Sequence, residues 1–140
     1  MQESKSPKSY EQAGVSRDSG DQLVSWLDQS HRASPLIISG IGGYASITRI
    51  PYDKYKKPHL VTCADGVGTK ALLAAQTRRV RGLGQDLVAM NVNDLICTGG
   101  DPYYFLDYWA SGRLDLELTK EFLIGVREAC HKSDCLLVGG

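Results

Sequence analysis

Six residues, Asp65-Gly66-Val67-Gly68-Thr69-Lys70, separate a β-rich apolar run, His59-Leu60-Val61-Thr62-Cys63-Ala64, from a run of strong helix formers, Ala71-Leu72-Leu73-Ala74-Ala75. A chain carrying this block is expected to pass from strand to helix through one tight turn. The two glycines allow the reversal and let the backbone approach a ligand, and the amides opening the following helix can bind an anion. An acid, a hydroxyl and a lysine stand at the same junction. The spacing is not that of a Walker A loop, because Lys70 follows Thr69 and a single residue separates the glycines. Taken alone, the pair reads equally as a structural turn and as a phosphate-binding loop.

Composition narrows the class. The 140 residues fit one domain with one core, and 42% hydrophobic with 23% charged residues is ordinary for a soluble globular protein. Lys plus Arg and Asp plus Glu number 16 each, so overall charge gives no support to nucleic acid or a membrane surface as partner. Cys63, Cys97, Cys130 and Cys135 lie mostly in apolar runs and read as reduced core thiols, with a cytoplasmic location expected. Cys130-His131 and Cys135 do not have zinc-ligand spacing, and no second Cys/His pair accompanies them. Residues 1–9 are polar and lysine-containing, and are expected to form a disordered leader rather than a signal peptide or membrane span.

Order is expected from Tyr10, through Asp18-Ser19-Gly20, into an amphipathic helix with Leu23, Val24 and Leu27 on one face. Two apolar runs follow, Leu36–Ile38 and Tyr44–Ile50, with Gly40-Ile41-Gly42-Gly43 between them. Alternation in the second suits a half-buried antiparallel strand, and the glycines suit a hairpin loop better than a second phosphate loop. Arg78-Arg79-Val80-Arg81-Gly82 reads as a cationic helix C-terminus stopped by Gly82, the alternative being a phosphate grip.

The stretch Gly84–Gly99 puts Val88, Val92 and Leu95 on one helical face. Asp94 falls at the border of that face, near the core side, where an acid is costly unless it is paired or bound to a metal. It is therefore a candidate ligand, the plain alternative being an exposed helix carboxylate. Tyr103–Trp109 reads as a buried aromatic strand carrying Asp107, and Asp115 can cap a helix over Leu116–Lys132, the clearest amphipathic pattern in the chain. Cys135-Leu136-Leu137-Val138 reads as a strand, and Gly139-Gly140 opens what is expected to be a binding loop.

These stretches, in this order, resemble the N-terminal domain of the phosphoribosylformylglycinamidine cyclo-ligase family, the aminoimidazole ribonucleotide synthetases. The resemblance runs over residues 10–140 and is carried by Tyr10–Val15, Gly42-Gly43-Tyr44, Asp65–Lys70, Asp86–Met90 with Asn93-Asp94-Leu95, Phe105–Tyr108 and Leu137–Gly140. It implies an ATP- and Mg²⁺-dependent ring closure of formylglycinamidine ribonucleotide, in which the formyl oxygen is phosphorylated, the amidine nitrogen attacks, and ADP and phosphate leave. By position, Asp65 and Asp94 would serve the metal, and Gly66, Gly68, Thr69, Lys70, Asn93 and Asp107 the nucleotide, with Asn91 a neighbour of no assigned role.

The implied architecture is α+β, with a mixed sheet of about four strands, helices on one face, and strands closing a barrel across a homodimer interface. The family carries a second α/β domain beyond the last glycines. Without it the chain is expected to dimerise but not to turn over substrate, with neither nucleic acid nor membrane as partner. Two alternatives stand beside this: a non-catalytic dimerisation module whose glycine loops are turns, or the ATP-binding half of a related enzyme such as selenophosphate synthetase or thiamine-monophosphate kinase. The absence of Cys from residues 1–36 speaks against the selenophosphate synthetase.

Overall fold

The computed structural model describes residues 13–14, 16–30 and 32–140. The expected leader of residues 1–9 and most of the Tyr10–Val15 stretch lie outside them. In chain order the elements are helix α1 (Arg17–Ser30), strands β1 (Ile37–Ser39) and β2 (Ile47–Thr48), a 3-10 turn (Tyr52–Lys54), helices α2 (Lys70–Thr77) and α3 (Arg81–Ile96), strand β3 (Tyr104–Leu106), helix α4 (Leu116–Lys132) and strand β4 (Leu136–Gly139).

Helix α4 is the axis of the core. Asp115 caps it, its Oδ1 accepting from the Leu118 N–H at 3.1 Å, and Thr119, Phe122, Leu123, Val126 and Cys130 form its buried stripe. Its bounds are those the amphipathic pattern gives. Against it lies α3, and two glycines let the backbones meet. A Cβ on Gly84 would stand 2.8 Å from the Val126 nitrogen and closer still to the Phe122 carbonyl oxygen, and one on Gly125 would run into the Arg81 carbonyl. Val80, Leu83 and Val88 fill the seam, and the Arg81 guanidinium pairs with the Glu128 carboxylate at its edge, Nε to Oε2 at 3.2 Å.

The arginine cluster differs from expectation. Helix α2 stops at Thr77, where Arg78 takes a left-handed conformation (φ 54°) and the Arg78 and Arg79 amides close on Ala75 and Ala74. Gly82 lies inside α3 and stops nothing.

The α+β class holds, but the expected single sheet of about four strands is divided into two separate ladders. Strands β1 and β2 pair antiparallel, Ile37 opposite Thr48, so the glycine run between them is the hairpin loop expected. Strands β3 and β4 pair in parallel, Phe105 opposite Leu137, with α4 as the crossover. No closed barrel forms among the described residues.

The expected strand at His59–Ala64 is absent: the segment has no regular structure and is exposed throughout, Leu60 to 74%. β-propensity expresses side-chain packing against neighbours on a half-buried surface, and here no strand among the described residues supplies a partner. For the same reason Tyr103–Trp109 is not a buried strand along its length. Phe105 is buried, while Leu106 and Tyr108 are 65% and 88% exposed. The thiols also split, with Cys130 and Cys135 in the core and Cys63 and Cys97 exposed, contrary to the reading of core cysteines.

Candidate functional site

The loop between His59 and α2 is where the sequence-selected residues gather. Asp65, Gly66, Gly68, Thr69 and Lys70 follow one another into the first turn of α2. Gly68 has φ 68°, a conformation glycine adopts without strain, and its carbonyl receives the Ala71 N–H at 3.2 Å to start the helix. Around the positions where Gly66 and Gly68 would carry a Cβ there is open space to 4 Å. Thr69 caps α2 through its backbone, its hydroxyl making no capping bond. The Asp65 carboxylate accepts from the Gly66 N–H at 2.7 Å, and Val67 anchors the loop on the core. The Lys70 ammonium is engaged by Asp86 of α3 at 2.9 Å, on the surface of the chain.

Asp94 and Asn93 sit near the end of α3, and both are exposed. The expectation that Asp94 lies close to the core is therefore wrong. Helix α3 packs against α4 and α2, but its last turn is left largely open to solvent. Of the residues from Asn93 to Ile96 only Leu95 is partly covered. The cost of a buried acid consequently gives no reason to assign Asp94 a ligand. Among the described residues no group of three or more His, Cys, Asp or Glu side chains is assembled to hold a metal.

Asp107 stands apart from the glycine loop, just beyond β3, its N–H donating to the Gly139 carbonyl at 3.1 Å beside the end of β4. Burial pushes its carboxyl above the ordinary carboxylate range. A side chain at Gly140 would collide with it.

One connection went unread in the sequence. Asn91 of α3 binds the Asp65 peptide unit through its side-chain amide, at 2.9 and 3.1 Å. The two residues are 26 apart and no motif joins them, so only the fold could show the pairing. They share the wall of a cavity of about 1310 Å³, enclosed by the 58–67 segment on one side and by Leu83, Leu87, Val92, Phe105, Trp109 and Phe122 on the other. The cavity is mostly apolar, with Asp65 and Gly66 among its lining residues. Gly68, Thr69, Lys70, Asn93, Asp94 and Asp107 do not line it.

A second polar cluster was also missed. Asp101 accepts from both Tyr55 and Lys54, the latter at 2.9 Å, and these two bonds hold its carboxyl below the usual range.

The residues fit a magnesium nucleotide in a limited sense. An open glycine turn at a helix start suits phosphate oxygens, and Asp65 suits a metal that keeps water and phosphate in its shell, a mode needing one or two carboxylates. They do not fit a cation held by a cage of protein ligands. A family model described as AIR synthase related protein, N-terminal domain, matches residues 42–140, a span that takes in most of the hairpin loop, the glycine turn, α3 and both strands of the parallel pair. The chain accordingly belongs to the AIR synthase related protein family and carries its N-terminal domain.

Proposed function

We propose that this chain is the nucleotide-binding half of the cyclo-ligase that closes the imidazole ring of formylglycinamidine ribonucleotide to aminoimidazole ribonucleotide, in cytoplasmic purine synthesis. Enzymes of this family use ATP and Mg²⁺. The observation that carries the reading to this chain is the open turn of Gly66 and Gly68 at the start of α2, with Asp65 at its entrance and Lys70 in the first helical turn. When bound, Mg·ATP would supply the phosphoryl group that makes the formyl oxygen a leaving group. The chain's own part is to hold the phosphates on loop amides and the Thr69 hydroxyl, to meet the metal with Asp65, and to offset negative charge with Lys70 once it is shared with Asp86. Asp94, Asn93 and Asp107 enter this proposal on the resemblance alone.

The reading includes a homodimer. Its support is the large apolar side chains the single chain leaves exposed, notably Leu60, Leu106 and Tyr108, together with the two-stranded β3–β4 ladder, which leaves edges unpaired among the described residues. Sedimentation equilibrium should give twice the chain mass, and Leu60→Glu should shift the population toward monomer; a monomeric wild type at high concentration removes this part of the proposal.

Nucleotide binding is tested by thermal melting with Mg·ATP. Free nucleotide at about ten times its Kd adds roughly 1.4 kcal/mol to the folded state, so a rise in melting midpoint is expected. Asp65→Asn and Lys70→Ala should abolish most of it. An unchanged midpoint for the wild type at millimolar Mg·ATP contradicts the reading and favours a module whose glycine loops are turns.

A further inference from the structure

The 63–65 backbone makes no strand pairing, although its sequence suits one, yet it is tied to α3 at one residue. Asn91 Oδ1 accepts from the Asp65 N–H at 2.9 Å, and Asn91 Nδ2 donates to the Asp65 carbonyl at 3.1 Å. A side-chain amide thus satisfies both polar groups of one residue, as a neighbouring strand would. The same Nδ2 donates to the Leu87 carbonyl one turn back at 2.9 Å, which fixes the amide on its own helix. Cys63 adds a bond from the other direction, its Sγ donating to the Asn91 carbonyl at 3.3 Å.

We propose that Asn91 is a positioning residue for nucleotide binding: by clamping the Asp65 peptide unit it orients the Asp65 carboxylate and the glycine turn toward metal-bound phosphates. This rests on the nucleotide reading above, and extends it to a residue on another element. The geometry favours a role through Asp65 over a general tie. Both side-chain bonds to the loop fall on the one residue proposed to meet the metal, while Gly68, Thr69 and Lys70 receive none from Asn91. The bonds to Leu87 and Asp65 use both donors of the amide, so the group is pre-set and has little freedom to lose when nucleotide arrives. Removing it leaves Asp65 on a loop with no secondary structure of its own, where each binding event must first restrict that loop.

The experiment compares wild type, Asn91→Ala, Asp65→Asn and the double variant. Amide exchange read by NMR should show the Asp65 N–H protected in the wild type and exchanging at least tenfold faster in Asn91→Ala, with the Val92 and Leu95 amides of α3 unchanged as a control of folding. Titrations with Mg·ATP, and with ATP plus chelator, should show that Asn91→Ala loses tenfold or more of the metal-dependent affinity while metal-free binding barely changes. A merely structural role would weaken both alike. In the Asp65→Asn background Asn91→Ala should add little, since the two act through one group. An unprotected Asp65 amide in the wild type overturns the clamp. Parallel loss of both affinities, full additivity, or an Asn91→Ala that binds Mg·ATP as well as wild type overturns the positioning role while the nucleotide reading stands. A wild type that binds neither form overturns that reading and this role with it.

Discussion

At Asp107 the protein carries a carboxylate whose ionisation opposes folding. Its pKa is raised by burial, so between the ordinary carboxylate value and its higher native value the folded chain binds more protons than the unfolded chain. Stability contributed by this group falls as pH rises through that window and is level above it. Asp107→Asn should flatten the decline, measured as urea stability at a series of pH values from about 4 upward.

Asp115 has the opposite sign. The Leu118 N–H and then Arg78, at 3.0 Å, hold its carboxyl below the usual range, so its contribution is present above the unfolded value and is lost as pH falls through the folded one. Asp115→Ala should lower the urea midpoint at neutral pH, with the gap to wild type closing in acid. At this scale the sequence read well wherever a residue acts on its near neighbours, as Asp115 does three residues along. It read poorly where the partner is remote: Asn91, Asp86 and Asp101 bond across 26, 16 and 47 residues respectively.

Helices α3 and α4 meet backbone to backbone, and their crossing is the element-scale feature most sensitive to substitution. Gly125→Ala forces a methyl against the Arg81 carbonyl and should cost about 1–3 kcal/mol or more, visible as a lower urea midpoint at unchanged slope. Gly20→Ala, in α1 with open space around it, should stabilise or be neutral in the same assay. The amphipathic stripe made α4 legible to the residue. The start of α3 was not, because Gly82 looks like a terminator and is instead an exposed residue of the first turn, with Gly84 behind it chosen for contact rather than for a turn. His59–Ala64 fails for a different reason: the pattern of a strand is local, but a strand needs a neighbour.

For the molecule as a whole, the α+β class and the order of elements, apart from the strand expected at His59–Ala64, could be read in advance, and the division into two small ladders could not, since sheet membership is a property of distant pairing. The glycine turn leads into a helix as expected, though from an irregular segment and not from a strand, whereas the metal half of the candidate site did not gain the buried acid expected at Asp94. Among the described residues no helix is long and apolar enough to cross a membrane. The four thiols divide evenly between surface and core. Cys130 donates toward Cys135, and this bond together with burial keeps it protonated, while Cys63 lies on the loop and Cys97 caps α3. The chain therefore contains its own two-speed chemical clock. An alkylating reagent should consume Cys63 and Cys97 promptly and reach Cys130 and Cys135 only as α4 and β4 part, so the slow phase times the opening of the core with no label added.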